Sequence, residues 1–196
     1  MSRPLDDHSL DQLFREARSH GTWTDQPVSE TDIRAVYELT RLGATSANCS
    51  PARFVWLVSD AAKAKLKPLV SAANAEKVAK APVTVIIGYD VNFAEQLPRL
   101  FPQAPTAKDW FADPAVAEVT AFRNGTLQGG YLIMAARALG LDCGPMSGFD
   151  NAGVNAAFFA GTRVESNFIC SLGYGKPNSP HPRNPRLSFE EAGRFA

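Results

Sequence analysis

The sequence lacks the features that mark several large classes of protein. Its 196 residues contain no apolar run near the roughly 20 residues that a membrane span requires. Its 20 basic residues are matched by 20 acidic ones, so the excess of positive charge typical of nucleic-acid-binding proteins is missing. It has only three cysteines and no CxxC pair, which argues against a disulfide framework. We therefore expect no membrane span, no nucleic-acid partner and reduced thiols, as in a cytoplasmic protein.

Metal-binding and nucleophile motifs are missing as well. The three histidines, His8, His20 and His181, are scattered, and none lies three to five residues from another histidine or a cysteine, the spacing of zinc sites. The sequence contains no G-x-S-x-G elbow, no P-loop and no G-x-G-x-x-G after a strand. No apolar stretch follows Arg3, so we expect no signal peptide. We also predict no metal site.

The sequence does contain enough apolar material for a sizeable core. It is 45% hydrophobic, 10% aromatic and 20% charged, which excludes a disordered or low-complexity chain. At roughly 150 residues per domain, its length favours one domain that spans residues 1–196. Apolar runs rich in β-branched and aromatic residues predict strands at 54–58, 83–87 and 166–174, with an extended segment at 142–146.

Helical periodicity predicts the helices that would surround these strands. The first begins at Ser9, which opens a capping-box spacing, and the second begins near Ser29 and stops at Gly43. Residues 63–80 are helical in composition but are interrupted by a proline. Further helices are predicted at 115–139, 150–159 and 189–195. The fold class is therefore α+β, with a small central sheet flanked by helices and a proline-rich C-terminal arm.

Two stretches of the chain have unusual composition. Helix 115–139 carries only three charged residues, Glu118, Arg123 and Arg137. A helix that is apolar nearly all round lies in the centre of a protein or at a subunit interface, so we expect this one to form the core of a dimer interface. Residues 91–114 hold four prolines among aromatic residues, which predicts a folded excursion that covers another part of the protein.

Three polar segments at the edges of predicted elements are candidates for a binding site. In 17–21, Arg18, Ser19 and His20 could chelate a phosphate together, although a basic helix C-terminus favoured by the helix dipole would look the same. Segment 44–53 places small hydrogen-bond donors and the side-chain amide of Asn48 at a sheet edge, where they could bind a planar ligand. The alternative is that this segment is a simple Asx-type turn. In 139–149, glycines and a proline fix an extended backbone with free amides, unless the segment is a mere connector.

Taken together and in order, these segments resemble the flavin site of the nitroreductase family of FMN enzymes. Residues 17–19 (Ala-Arg-Ser) resemble the family's Arg-Arg-Ser-like opening, and 46–52 (Ser-Ala-Asn-Cys-Ser-Pro-Ala) resemble its Ser-x-Asn-x-Gln-Pro-Trp loop. Residues 138–149 are similar to its Ala-Leu-Gly…Pro-Ile-Glu-Gly-Phe signature, and 185–187 (Pro-Arg-Leu) to its C-terminal Ser-Arg-Leu. The resemblance covers essentially the whole chain and is strongest to a branch that includes malonic semialdehyde reductases.

The resemblance implies a homodimer with two FMN sites at the subunit interface. Arg18, Ser19, His20 and Arg186 would hold the FMN phosphate, and Arg183 is expected to matter less. Three residues of the second segment would hydrogen-bond the isoalloxazine edge: Ser46, Asn48 and Ser50. The Gly148 amide would face flavin N5. The remaining implied cofactor contacts are Thr45, Pro145, Met146 and Ser147.

The resemblance also implies an enzyme that oxidises NADH or NADPH and passes the hydride to a small acceptor in a ping-pong cycle. The preferred acceptor is a short aldehyde acid such as malonic semialdehyde, which would become 3-hydroxypropionate, with Arg53 or Arg123 as the partner of its carboxylate. General reduction of nitroaromatics or quinones is the alternative within the same class. The alternative from another class is a flavin-binding protein without turnover.

Overall fold

The structure is a computed structural model that describes residues 3–177 and 180–196. Within these ranges it has one antiparallel sheet of four strands, in the order β1-β2-β4-β3. The strands are β1 (Ala52–Leu57), β2 (Val83–Asp90), β3 (Asp142–Met146) and β4 (Val164–Gly173). All four predicted extended segments are confirmed, and β1 and β3 form the two edges.

Helices flank the sheet, as the sequence predicts. The α-helices are α1 (Asp7–Leu10), α2 (Glu30–Thr40), α3 (Asp60–Leu66), α4 (Ala72–Lys80), α5 (Leu97–Leu100), α6 (Pro114–Ala138), α7 (Asn151–Phe158) and α8 (Phe189–Ala192). Short 3₁₀ turns lie at Ser46–Asn48, Lys67–Leu69, Phe93–Gln96 and Ala107–Phe111. No helix in the described ranges is long and apolar enough to cross a membrane.

The core has two layers, one on each face of the sheet. Val85 and Ile87 of β2 pack with Leu132 of α6 and Val36 of α2 on one face. On the other face, Ile86 packs with residues of α3, α4 and α7. Because β2 lies between two other strands and is covered on both faces, it reads as a continuous apolar run rather than as an alternating one.

The first helix starts earlier than predicted. Asp6, not Ser9, is the N-cap, since its carboxylate accepts a hydrogen bond from the Ser9 amide at 2.8 Å. The helix then widens into a π-helical turn over Asp11–Arg15. In contrast, Ser29 caps α2 as predicted, and its hydroxyl accepts from the Asp32 amide at 3.1 Å.

Gly43 has a different role from the predicted one. The helix α2 ends at Thr40, and Gly43 is needed because a Cβ at this position would lie 2.0 Å from the Tyr131 ring of α6. The close approach lets the Tyr131 hydroxyl donate to the Ala44 carbonyl at 2.9 Å. The start of segment 44–53 is therefore fixed to α6.

The long helix and the excursion both form as predicted. Asp113 caps α6 by accepting from the Ala115 amide at 2.9 Å. The excursion at 91–114 folds into short helical turns, and its buried Phe93 and Leu97 pack with Cys49 and with α6. The excursion therefore covers segment 44–53 at the end of the sheet where β1 begins.

Candidate functional site

The segment that carries Arg18 and Ser19 lies beside the edge strand β3. The amide of His20 donates to the Cys143 carbonyl at 2.9 Å, and Ser19 forms a parallel bridge with Cys143. Further along, Trp23 pairs with Gly175. These backbone contacts hold 19–23 against the end of the sheet where β3 begins.

The C-terminal arm folds back over the same place. A guanidinium nitrogen of Arg183 donates to the carbonyls of Phe14 at 3.3 Å and Ala17 at 2.9 Å. Arg18 donates to the His181 carbonyl. Through these contacts the arm brings Arg186 next to Arg18, which is 168 positions away in the chain.

Arginines dominate the cavity between the arm and the first helix, which we call the tail cavity. It has a volume of about 460 Å³, and its charged lining consists of Arg18, Arg137, Arg183 and Arg186, with His181 and the Ser19 hydroxyl nearby. No carboxylate of residues 3–177 or 180–196 lines it. Guanidinium groups bind phosphate through paired N–H donors, so this donor set fits a phosphate group.

A smaller cavity of about 270 Å³, the β3 cavity, adjoins the tail cavity and shares Ser19 and His181 with it. It is lined by Pro145, Met146 and Lys77. Just beyond it, the amides of Ser147 and Gly148 donate to no acceptor in the part of the chain that the structure describes. The arrangement offers an apolar wall and free backbone donors next to a cavity whose donors fit a phosphate group.

Two residues of α4 support this region and were missed in the sequence. The side-chain amide of Asn74 donates to the Gly148 carbonyl at 3.2 Å, and the Ser71 amide donates to the same oxygen at 2.9 Å. The ammonium group of Lys77 lies 3.4 Å from the Asn74 carbonyl oxygen, and Lys77 lines the β3 cavity. The only sequence signal was a polar pair three residues apart on a short amphipathic helix, which is common on protein surfaces.

The imidazole of His20 is turned into the protein. Its side chain is only 11% exposed, and its Nε2 lies 3.4 Å from the Asp142 carboxylate. A Cβ at Gly175 would lie 2.0 Å from the ring, so the glycine makes room for it. The buried Nδ1 has no hydrogen-bond partner in the described part of the chain. A phosphate contact by this ring therefore stays a prediction that the observed orientation does not support.

Residues Thr45, Ser46, Asn48 and Ser50 lie together in a strained loop at the start of β1. Three non-glycine residues of this loop have positive φ angles: Ala47 (49°), Asn48 (50°) and Ser50 (40°). Such conformations are unfavourable and persist only where the surroundings enforce them, as functional sites often do. The loop is more than a simple turn.

Two buried amides of α6 enforce this loop conformation. Asn124 accepts from the Ser46 amide at 2.9 Å, and Gln128 accepts from the Ala52 amide at 2.8 Å. Asn124 and Gln128 are 2% and 4% exposed, so the loop is held by the side-chain oxygens of two buried amides. Sequence patterns did not reveal them, because an amide every fourth residue on an apolar helix has no distinctive signature.

Several donors of the loop are already used within the chain. The Thr45 hydroxyl accepts from the Ser50 amide at 3.2 Å. The side-chain amide of Asn48 donates to the Leu100 carbonyl of α5 at 2.7 Å, which leaves its own carbonyl oxygen for a ligand. The buried Cys49 thiol stays neutral because burial raises its pKa to about 11.

The loop borders the largest polar cavity of this end, of about 600 Å³, which we call the loop cavity. Arg41, Arg53 and Arg99 provide its charge, and its other lining residues are Tyr37, Asn48, Ser50, Ala52, Phe54, Trp56, Gln96, Leu100 and Gln128. Arg53 is paired with Asp90 at 2.7 Å, and Arg41 with Glu38 at 2.6 Å. Arg123, in contrast, lines none of the cavities described above.

The tail cavity and the loop at 45–50 therefore lie at diagonally opposite corners of the sheet, and residues 145–148 extend from the first corner along the edge strand β3. The loop precedes Ala52, which is level with Tyr89 and Glu165, whereas the tail cavity lies beside Asp142, which pairs with Gly173. Three strand spacings of about 4.8 Å and eight residue steps of about 3.3 Å separate the corners by roughly 30 Å. No mononucleotide reaches that far, so one copy of the chain cannot use both groups for the same ligand.

A third feature lies on the outer face of α6. Val116, Val119, Phe122 and Leu127 are each 44–53% exposed and follow one another along the helix at three- to five-residue steps. Arg123 lies on the same exposed face. A row of half-exposed apolar side chains on a central helix is typical of a surface that another protein covers.

Comparison with known proteins identifies relatives of the whole chain. The family model described as "Nitroreductase family" matches residues 14–175. A protein of Caulobacter sp. (strain K31), named "Putative NADH dehydrogenase/NAD(P)H nitroreductase", is 58% identical over 191 residues, which are 97% of this chain and 98% of the relative. A protein of Ralstonia pickettii with the same name and the addition HadB is 58% identical over 187 residues, 94% of this chain and 95% of the relative.

Solved structures have the same fold. A crystal structure from Exiguobacterium sibiricum 255-15, described as "a putative nitroreductase in complex with FMN", has a TM-score of 0.87 with 20% identity, and all of both chains is covered. CLA-ER, described as an enone reductase of gut-bacterial fatty acid metabolism, has a TM-score of 0.83 with 18% identity, over 98% of this chain and 99% of the other. The predicted fold is confirmed over the full length.

Proposed function

The chain belongs to the nitroreductase family, and from that premise we propose that it is an FMN-dependent NAD(P)H oxidoreductase that reduces a small acceptor. The observation that supports this function most strongly is the tail cavity, with four arginines and no lining carboxylate. Uncompensated guanidinium groups repel one another in an empty cavity and are satisfied by a dianion such as the phosphate of FMN. A protein without an anionic ligand would gain nothing from this arrangement.

Arg18 and Arg186 hold the phosphate in this proposal, together with the exposed Ser19 hydroxyl. Arg137 adds a third guanidinium group, and its Nε is buried without a partner in the described residues. Arg183 contributes by tying the arm to the first helix rather than by binding the ligand directly. Once the bound phosphate removes water from these arginines, the loss of one such charge-assisted contact costs about 2–5 kcal/mol.

The isoalloxazine ring belongs in the β3 cavity and beyond it, where Pro145 and Met146 form one wall. Lys77 lies on the other side, and the Gly148 amide points to no internal acceptor. A Cβ at Gly148 would lie 3.0 Å from the Ser71 hydroxyl and 3.1 Å from the Asn74 amide nitrogen, so a side chain here would crowd the residues that fix this backbone. The glycine lets a planar ring lie close to the amide.

The second group of predicted residues comes from another copy of the chain. Because the two corners are roughly 30 Å apart in one chain, Ser46, Asn48 and Ser50 contact a flavin only if a partner subunit brings its tail cavity to this loop. The exposed apolar face of α6 supplies the surface for such a homodimer. Each copy then contributes one corner to each of two sites.

When bound, FMN supplies the two-electron chemistry that takes a hydride from NADH or NADPH and delivers it to the acceptor. The protein binds the phosphate, orients the ring and excludes water through the excursion over the loop. In the overall reaction NAD(P)H becomes NAD(P)⁺, and an aldehyde acceptor gains the hydride and one proton to become a primary alcohol. Apart from the ammonium group of Lys77, the ring-facing protein groups are backbone donors and neutral side chains, which hold the ring in position for hydride transfer.

We further propose a short aldehyde acid, such as malonic semialdehyde, as the acceptor. The arginines of the loop cavity support an acceptor with a carboxylate, because this cavity lies beside the residues assigned to the ring. The names of the relatives favour nitroaromatic acceptors as a second candidate, which the same assay tests.

The decisive experiment is anaerobic titration of the purified protein. We expect a yellow protein that releases FMN on denaturation, is bleached by NADH or NADPH, and is reoxidised by one class within a panel of aldehyde acids, nitroaromatics and quinones. A protein that takes up no added FMN would contradict the proposed function.

A further inference from the structure

Among the residues that the structure describes, the loop cavity contains one cation, Arg99, whose charge no acidic group balances. Arg53 donates to Asp90 at 2.7 Å and also to the carbonyls of Ser50 at 3.2 Å and Ala52 at 2.9 Å. The Nη1 group of Arg53 is therefore engaged in holding the loop, and its positive charge is balanced by the Asp90 carboxylate. Arg41 is likewise paired with Glu38.

Arg99 of α5 is different. In the described part of the chain its guanidinium group contacts only the neutral side chain of Gln96, at 3.2 Å, and makes no ion pair. It lines the loop cavity, whose lining includes no carboxylate among the described residues, so the cavity has a net positive charge that is concentrated at Arg99. The aromatic side chains of Tyr37, Phe54 and Trp56 form part of the wall of the same cavity.

The position of Arg99 is fixed relative to the loop. Asn48 donates to the carbonyl of Leu100, the residue that follows Arg99, at 2.7 Å. Leu97 of the same short helix is fully buried in the cluster with Cys49 and Phe93. The excursion therefore does more than cover the loop, because it holds one free guanidinium group over the cavity next to the residues assigned to the flavin ring.

We infer that the loop cavity binds the carboxylate of the acceptor and that Arg99 is the residue that selects acceptors with a carboxylate. The inference rests on the proposed function, since it requires a flavin next to the loop. It differs from the sequence-based choice of Arg53 or Arg123. Arg53 is already paired with Asp90, and Arg123 lies on the exposed face of α6 and lines none of the cavities that carry the site.

The test compares two acceptors that differ only in charge. Holoenzyme loaded with FMN is assayed with succinic semialdehyde and with its methyl ester, and the ratio of the two kcat/KM values is measured for the wild type, Arg99→Ala, Arg99→Lys and Arg34→Ala. A hydrogen bond to a charged group contributes enough that its loss should lower this ratio by about tenfold to a hundredfold in Arg99→Ala. Arg99→Lys should recover part of the ratio, because it keeps the charge without the planar pair of donors.

Arg34→Ala is the matched control, since Arg34 is an exposed arginine paired with Glu30 and lies outside the loop cavity. Its ratio should equal that of the wild type. Calorimetric titration with malonate, which cannot be reduced, gives a second readout: it should bind to wild-type holoenzyme and bind at least about tenfold more weakly to Arg99→Ala.

The outcomes separate the two proposals. If the holoenzyme turns over but the ratio in Arg99→Ala equals that of the wild type, the assignment of Arg99 is wrong and the proposed function stands. A raised KM for NADPH with an unchanged ratio would also overturn it and place the donor's phosphate at Arg99 instead. If the protein binds no FMN, the proposed function itself fails before any variant is tested.

Discussion

The tail cavity and the loop cavity both carry arginines, but they balance the charge differently. Four guanidinium groups meet in the tail cavity without a lining carboxylate, whereas two of the three in the loop cavity are paired with Glu38 and Asp90. Like charges at short range are unfavourable until an anion binds between them. The first cavity is therefore suited to a dianion and the second to a single negative charge.

The two regions are also held by different means. The tail cavity is closed by hydrogen bonds from exposed arginines to backbone carbonyls near the chain ends. The loop is fixed by buried amides of the central helix α6. Segments held by exposed contacts open more easily than those held by buried ones, so the tail cavity should become ordered on ligand binding while the loop is rigid beforehand.

The largest expected effect comes from disrupting the proposed dimer, which brings the loop of one copy to the tail cavity of the other. Phe122→Glu places a charge on the exposed apolar face of α6, where burial of an unpaired carboxylate costs several kcal/mol. We expect the dimer to dissociate and FMN affinity to fall by more than about a hundredfold. Sedimentation and FMN content measure both effects. Val58→Glu, at a half-exposed valine after β1, is the control, and a flavin-loaded monomer of Phe122→Glu would contradict the shared site.

The tail cavity by itself is tested by Arg18→Ala and Arg186→Ala. Each should weaken FMN binding by about 2–5 kcal/mol, because the phosphate loses a charge-assisted contact. Fluorescence titration of the apoprotein with FMN gives the dissociation constants. At saturating FMN, turnover should largely recover, since neither arginine contacts the reacting atoms.

Arg183→Ala tests whether the arm affects FMN affinity without a direct contact to the phosphate. The sequence predicts a smaller effect than for Arg186, and the structure adds that Arg183 fastens the arm to Phe14 and Ala17. We expect an intermediate loss of FMN affinity together with faster proteolysis of the arm. Normal FMN binding by Arg18→Ala and Arg186→Ala would show that the phosphate lies elsewhere.

The rigidity of the loop is tested by Gln128→Met. The change leaves the buried Ala52 amide without its acceptor, which should lower the free energy of unfolding by about 1–3 kcal/mol. Urea denaturation measures it, with Gln103→Met at an exposed position as the control. An unchanged midpoint would mean that Gln128 does not hold the loop.

The smallest effect concerns pH. Burial raises the pKa of Cys49 from 9.0 to about 11, so the unfolded chain loses the thiol proton first. The stability linked to this thiol is complete below pH 9 and is lost as the pH rises toward 11. Over that interval the wild type should lose on the order of 1–2 kcal/mol more than Cys49→Ala in parallel urea titrations. Equal losses would place the thiol in contact with water.

Local patterns predicted the elements of the fold well. The strand at 83–87 and the helix at 115–139 could be predicted because the length and spacing of their apolar residues are typical of a buried strand and of a long helix. The start of α1 was missed because Asp6 and Ser9 both satisfy the spacing of a cap, and only the observed hydrogen bond distinguishes them. The role of Gly43 was missed for another reason, since its need arises from Tyr131, 88 residues later.

The candidate site was predicted in composition but not in arrangement. The motifs supplied Arg18, Asn48, Gly148 and Arg186, but not Lys77 or Arg137, which reach the same cavities from helices without any motif. Nor could the motifs show that the tail and loop groups lie at opposite corners of the sheet. That follows from the strand order, which places β1 and β3 at opposite edges.

The sequence by itself determined the family and the helices and strands, and it supplied most of the polar residues proposed for the site, because these depend on short-range periods and on motifs of contiguous residues. Only the tertiary structure decided which arginines are already paired, which carbonyls hold the arm, and which residues cannot meet within one chain. Pairing and separation depend on distances between segments remote in sequence, and those distances are fixed by packing of the whole core.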